Sequence, residues 1–289
     1  MQPYTAIVRD IMVKGTLSEN RTGVPAYSVP GAIFQHNMSE GFPLLTTKSV
    51  PLRLIASELE FFIKGLTDKK WLQDRNNHIW DEWCWQLKVP YGHDKETQQK
   101  MFEERDLGPI YGFQWRHFDA EYDGFDKDYS KQGIDQLENL IETLKTNPND
   151  RRMIVSAWNP NQVDEMALPP CHYGFQVTVT DDKLNLMWNQ RSVDTALGLP
   201  FNIASYGLLL HLLAKETGYE EGKLVGHLGD VHIYENHMEG LLNQLWRVPL
   251  KLCDIETDNF TSIFDWEYTD SVVVDYESHD RIDFGKPAV

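Results

Sequence analysis

Cysteine is scarce in this chain of 289 residues, which holds three: Cys84, Cys171 and Cys253. So few, so widely dispersed, exclude a disulfide framework and a cysteine-rich zinc site, and no metal is expected. Long apolar runs are also lacking, and none approaches the roughly 20 residues of a membrane-spanning helix. The first twenty residues show no basic start, apolar middle and small-residue cleavage site of a secretory signal. Positive charge is in deficit: 27 Lys and Arg stand against 44 Asp and Glu, a formal net charge of −17. A nucleic-acid binder would show the opposite balance. Linkers, low-complexity runs and repeats of 20–50 residues are missing as well. Together these absences point to a single domain over residues 1–289, in a reducing cytoplasmic setting, with no nucleic-acid or membrane partner.

What is present is a mixture of helical and strand patterns. Tyr4, Ile7, Val8, Ile11 and Met12 recur at helical spacing before Gly15. Residues 51–64 form an amphipathic helix, with Leu52, Ile55, Leu59, Phe62 and Ile63 on one side and Glu58 among them. A carboxylate there is either at the edge of the buried face or buried with a raised pKa. Ala26 to Phe34 reads as a strand pair or a bulged strand. Met153–Trp158, Tyr173–Thr180 and Lys183–Trp188 read as strands, and short β segments recur from Phe260 to Val274. Residues 134–144 read as a helix, and Phe201–Leu213 as a buried central one. Strands and helices do not alternate strictly, which favours α+β over a doubly wound sheet. Residues 86–106 and 117–133 are polar enough to be surface insertions.

One short segment concentrates chemical potential: Leu168-Pro-Pro-Cys-His172. Two prolines restrict the backbone leading to Cys171, and a stiff support suits a nucleophile. Arg151-Arg152 and Gln190-Arg191-Ser192 supply cations and donors able to stabilise a thiolate and grip an anion. A solitary cysteine also serves as a small buried hydrophobe, and the arginine pair also suits a solvated helix end. His172 follows the nucleophile, and on an extended strand its side chain points elsewhere.

These residues belong to a longer series: Asn20-Arg-Thr-Gly23, Phe42-Pro-Leu-Leu-Thr-Thr-Lys48, Ile79-Trp-Asp-Glu-Trp83, Leu107-Gly-Pro-Ile-Tyr-Gly112, Gln190-Arg-Ser-Val-Asp194, Leu197-Gly-Leu-Pro-Phe-Asn202, His232-Ile-Tyr234 and the terminal Pro-Ala-Val. In this order the chain resembles the thymidylate synthase family nearly end to end. The resemblance implies an α+β fold with a large mixed sheet packed with helices, one face of the sheet forming a homodimer interface. It implies reductive methylation of dUMP to dTMP, with 5,10-methylenetetrahydrofolate donating both carbon and hydride. Cys171 would add to uracil C6 and make C5 nucleophilic. Glu58 would hold a water network near O4, Tyr111 would help remove the C5 proton, and Arg191 would bind phosphate and lower the thiol pKa. Asn202 would read uracil N3–H and O4. Arg21, Arg151, Arg152, Gln190, Ser192, Val193, His232 and Tyr234 would complete the nucleotide site, with Arg151 and Arg152 coming from the partner subunit. Asp194 would meet nucleotide and pterin, while Ile79, Trp80, Trp83, Leu197, Gly198, Phe201 and Ala288 would face the folate.

Several positions depart from the family's usual pattern: Val24-Pro25, Pro51, Ser57, Glu60, Phe61 and Asn189. Glu60 and Asn189 have counterparts in related pyrimidine hydroxymethylases, where water captures the methylene, so a dUMP hydroxymethylase is the alternative expectation. A catalytically silent nucleotide- and folate-binding regulator would have lost the nucleophile or the phosphate arginines, and none is lost.

Overall fold

The computed structural model describes residues 1–285. Its helices are α1 (Gln2–Lys14), α2 (Leu52–Ile63), α3 (Lys70–Gln73), α4 (Lys95–Glu103), α5 (Tyr111–His117), α6 (Gln136–Thr146), α7 (Gly198–Thr217) and α8 (Met238–Leu245). Its strands are β1 (Thr16–Ser18), β2 (Ala26–Asn37), β3 (Ile154–Ser156), β4 (His172–Thr180), β5 (Lys183–Asp194), β6 (Glu220–Tyr234), β7 (Asp254–Thr257) and β8 (Ser271–Val274). Six strands form one sheet in the order β1-β2-β6-β5-β4-β3, while β7 and β8 pair separately. The fold is therefore α+β with a large mixed sheet.

The parallel β5–β6 pair organises the site. Parallel neighbours need a crossover, and α7 supplies it, packing on both strands. Its 20 residues include an almost unbroken buried run from Leu199 to Ala214. Such a helix is apolar all round because it is covered all round. It ends at Gly218, whose φ of +77° suits the left-handed stop. The carboxyl end of β5 therefore opens onto the start of α7, where ligands of open sheets commonly sit. On the same side lies α2, packed against α5 and α7.

Four expectations change. Ala26–Asn37 is one continuous strand despite Pro30 and Gly31, because its ladder to β6 includes Pro30 opposite Asp230 and resumes in the same register at Ala32. Strand β5 runs past Trp188 to Asp194, since pairing with β6 holds a polar stretch that has no strand signature of its own. Among the described residues, β structure between Phe260 and Val274 is confined to β8, which pairs back to β7. Nor are the two polar segments only surface. Ala120, Tyr122 and Tyr129 build a small second core with Phe113. Met101 on α4 is buried, and Gln86 and Tyr91 reach the main cavity.

Candidate active site

A cavity of about 580 Å³ opens where β5, β6 and the loop after β1 converge. Its lining includes Cys171, Arg21, Arg191, Ser192, His232, Tyr234 and Trp83, all expected from the sequence. Asn20, Trp158, Leu168, Gln86 and Tyr91 line it too, and no functional reading of the sequence had selected them. The loop carrying Arg21 is shaped by Asn20, whose Oδ1 accepts from Thr22 N at 2.9 Å and whose Nδ2 donates to Val24 O at 2.7 Å.

Cys171 stands just before β4, where a register shift between His172 and Gly174 marks a bulge. Bulges re-aim side chains beside functional sites. The two prolines do more than stiffen the chain. Arg191 donates from Nε to Pro170 O at 2.9 Å and from a terminal nitrogen to Pro169 O at 2.8 Å. Its own N–H donates to Cys171 O at 2.8 Å. The guanidinium is thus bolted to the nucleophile's peptide segment. Burial pushes the Cys171 thiol above its ordinary pKa, while Arg191 and then Arg21 pull it back down. Arg191 lowers the thiol as expected, but burial outweighs it.

A second cluster lies behind the thiol. Trp80 Nε1 donates to Glu58 Oε1 at 2.8 Å. Burial raises the Glu58 carboxyl to about 7, and the Trp80 hydrogen bond opposes that rise. Glu58 thus stands at the edge of the buried face, yet its carboxyl is desolvated enough to be raised. Tyr111 accepts from Cys171 N at 2.8 Å and stacks on Phe62 with centroids 4.8 Å apart. Burial keeps its phenol protonated, well above the ordinary range. His172 turns away from the cavity to Tyr206 OH at 2.9 Å, and burial depresses it to about 3, holding it neutral.

Asn202, Gln190 and Asp194 gather at the start of α7. Gln190 Nε2 donates to Asn202 Oδ1 at 3.0 Å. Asp194 Oδ1 accepts from the N–H groups of Ala196 and Leu197 at 3.0 and 3.1 Å. Gly198 sits beside both, with a Cβ there meeting Asn202 Oδ1 and Asp194 Cβ at 3.7 Å. Val193 buries its side chain completely, so its main chain is what it can offer a ligand. Ile79 is exposed, Leu197 and Phe201 are partly covered, and none of the three is among the residues lining the main cavity. Two groups escaped the sequence reading. Lys48 Nζ donates to Ala196 O at 2.6 Å, and burial lowers it to about 8 against the pull of Asp194. His237 is fully buried, with Nδ1 3.9 Å from Asp194 Oδ1. Each stands inside a quoted motif or next to one, but neither position announces its partner.

Arg151 and Arg152 do not line this cavity. Arg152 is 88% exposed at its side chain and pairs with Asp150 at 2.7 Å. Ala288 lies outside the described residues. Two departures that suggested water capture do not line the cavity. Glu60 pairs with Lys64 and accepts from Tyr268 N at 2.9 Å. Asn189 faces the other side of the sheet, with Oδ1 3.2 Å from His227 Nδ1. Among the described residues no His, Cys, Asp and Glu cluster could hold a metal ion, and no helix is long and apolar enough to cross a membrane.

A stiffly held thiol, flanking arginines and groups that can hold a proton are an arrangement chemically suited to covalent chemistry on a small anionic ligand. The family model for thymidylate synthase matches residues 2–288, and the chain belongs to that family. It is 44% identical over 280 residues to a bifunctional dihydrofolate reductase-thymidylate synthase of Paramecium tetraurelia, covering 97% of this chain and 60% of the relative. It is 44% identical over 291 residues to the protein of that name from Leishmania major, covering 96% of this chain and 54% of the relative. The chain thus spans a little over half the length of these relatives.

Proposed function

We propose that the chain converts dUMP to dTMP, taking the one-carbon unit and the hydride from 5,10-methylenetetrahydrofolate and releasing dihydrofolate. The observation that carries this is Cys171 in one cavity with Arg21, Arg191 and Ser192. Phosphate binds the arginines and the serine, and that anchor sets uracil C6 at Sγ. The thiolate adds to C6, C5 attacks the folate methylene as one of its two C–N bonds opens, and the C5 proton leaves to water held near Tyr111. The remaining C–N bond then breaks to free tetrahydrofolate, whose hydride reduces the exocyclic methylene to methyl as the thiolate departs from C6, leaving dihydrofolate. Asn202, held by Gln190, selects uracil, because an amide presents donor and acceptor together. Glu58 near 7 is poised to hold or release a proton for the water at O4. Trp80 and Trp83 meet the folate rings together with Ile79, Leu197, Gly198 and Phe201.

We further infer a homodimer built on the sheet face opposite α7. Ile33, His227 and Asn189 are consecutive in register across β2, β6 and β5, and Ile33 is 61% exposed. Arg151 and Arg152, outside their own cavity, would then reach the partner's phosphate. A reducing cytoplasmic setting suits a reaction that needs an unbridged thiol, and all three cysteines are unbridged.

The test is product analysis with purified protein, dUMP and methylenetetrahydrofolate. Thymidylate in one-to-one yield with dihydrofolate is expected. A 5-hydroxymethyl nucleotide with tetrahydrofolate left unoxidised overturns the hydride step, and no turnover at all overturns the enzyme reading. That neither Glu60 nor Asn189 lines the cavity supports the first outcome.

A further inference from the structure

Lys69 is completely buried, and its partners are main-chain oxygens. Nζ donates to Met101 O at 2.6 Å, Trp83 O at 2.8 Å and Asp81 O at 3.1 Å. Three donors meet three carbonyls, so the ammonium is saturated in the manner of a caged cation. Burial pulls its pKa down, opposed by Cys84, Asp81 and Glu104. The carbonyls come from both ends of one excursion: residues 81 and 83 as the chain leaves the core, residue 101 on α4 as it returns. Between them the chain reaches the cavity. Tyr91 stacks on Trp83 with centroids 5.6 Å apart and planes 17° apart, and both line the pocket that holds Cys171. Gln86 Nε2 donates to Ala167 O at 3.2 Å, four residues before the nucleophile.

We propose that Lys69 is a positioning residue: its caged ammonium closes the 84–101 excursion and thereby holds the Trp83–Tyr91 stack as the folate-facing wall of the cavity. This rests on the function proposed above, which puts the folate rings at Trp83. Tyr91 is then a direct contact that extends the aromatic wall, and its ring stiffens Trp83 before folate arrives. A preformed wall saves the ordering cost that a mobile one would impose on binding. The nucleotide half of the cavity is built on β5, β6 and the loop after β1, so it stands apart from this device.

The experiment compares Lys69→Met, Lys69→Gln and Tyr91→Ala with the wild type by calorimetry. dUMP is titrated first, then tetrahydrofolate into the dUMP complex, and the KM for methylenetetrahydrofolate is measured alongside. Expected is a loss of about two- to tenfold in folate affinity for Tyr91→Ala, the range of one aromatic stack. Lys69→Met should lose at least as much, with dUMP affinity held within about twofold. The Lys69→Met/Tyr91→Ala double variant should be no worse than Lys69→Met alone, because both act through one wall. Lys69→Gln keeps two of the donor hydrogens and should fall between, and it carries the test if the methionine variant does not fold. Additive losses, or dUMP and folate affinities weakening together, overturn the proposal in favour of general loosening. Unchanged folate affinity in Tyr91→Ala overturns the wall itself. The calorimetric readout needs no turnover, so a wild type that binds both ligands without making thymidylate overturns the catalytic reading and leaves this one standing.

Discussion

Cys171 and Cys253 are both thiols in covered surroundings, yet their prospects diverge. Cys253 is fully buried, with its carbonyl accepting from Phe42 N at 2.7 Å. Burial drives its pKa up to about 11, and Asp254 adds to the rise. Cys171 is also pushed up by burial, but Arg191 and Arg21 pull against it. Its segment is held by two proline carbonyls that Arg191 itself engages. Burial alone silences a thiol, whereas burial beside fixed cations leaves one that a bound anion's geometry can put to use. Residue type separates nothing here; the guanidinium does.

The strongest way to break this comparison is Arg191→Ala. It removes a cation next to the thiol and a phosphate donor together, so turnover should fall by about 10²- to 10³-fold. Iodoacetamide labelling of Cys171, followed across pH by peptide mass spectrometry, should show its thiol pKa moving upward toward that of Cys253. Labelling with an unchanged pH profile would remove Arg191 from any part in tuning the thiol.

Glu58 sharpens the contrast, because it is a desolvated acid whose hydrogen-bond partner is a neutral donor, Trp80. Its carboxyl rises from 4.5 to about 7, so between these values the folded state binds a proton that the unfolded chain releases. Its contribution to stability is therefore present below about pH 4.5 and lost as pH climbs through 7. His172 works in the opposite sense: depressed to about 3, it costs stability as pH falls below 6.5. Glu58→Gln should cut turnover by about 10²-fold. It should also remove the first pH dependence, so that the wild type gains on the variant between pH 7.5 and pH 5 by on the order of 1–2 kcal/mol. Urea denaturation at the two pH values measures this, and an unchanged difference would mean that Glu58 titrates normally. The smallest effect is expected at the silent thiol. Cys253→Ala should leave turnover within about twofold while costing about 1 kcal/mol for the small cavity left behind. A large loss of turnover there would erase the distinction drawn between the two cysteines.

The sequence by itself determined whatever is local. The proline pair before Cys171 limits its backbone through ring geometry alone. The spacing of Leu52, Ile55, Leu59 and Phe62 makes α2, and the apolar run within α7 demands burial on all sides. Ordered motifs carried the family, and with it most of the cavity's residues. Tertiary structure decided what depends on partners far apart in the chain. Strand β5 continues through Asn189-Gln-Arg-Ser because β6 pairs with it, against the polarity of those residues. Glu58 is a titrating group because its folded surroundings desolvate it, with Trp80, 22 residues away, supplying the hydrogen bond that opposes the rise. Lys69 looks like any charged residue just before a short helix until its three carbonyls, up to 32 residues distant, surround it. The reason is common to all three: a propensity is written into neighbouring residues, whereas desolvation and hydrogen-bond satisfaction are set by atoms that only the folded chain brings near.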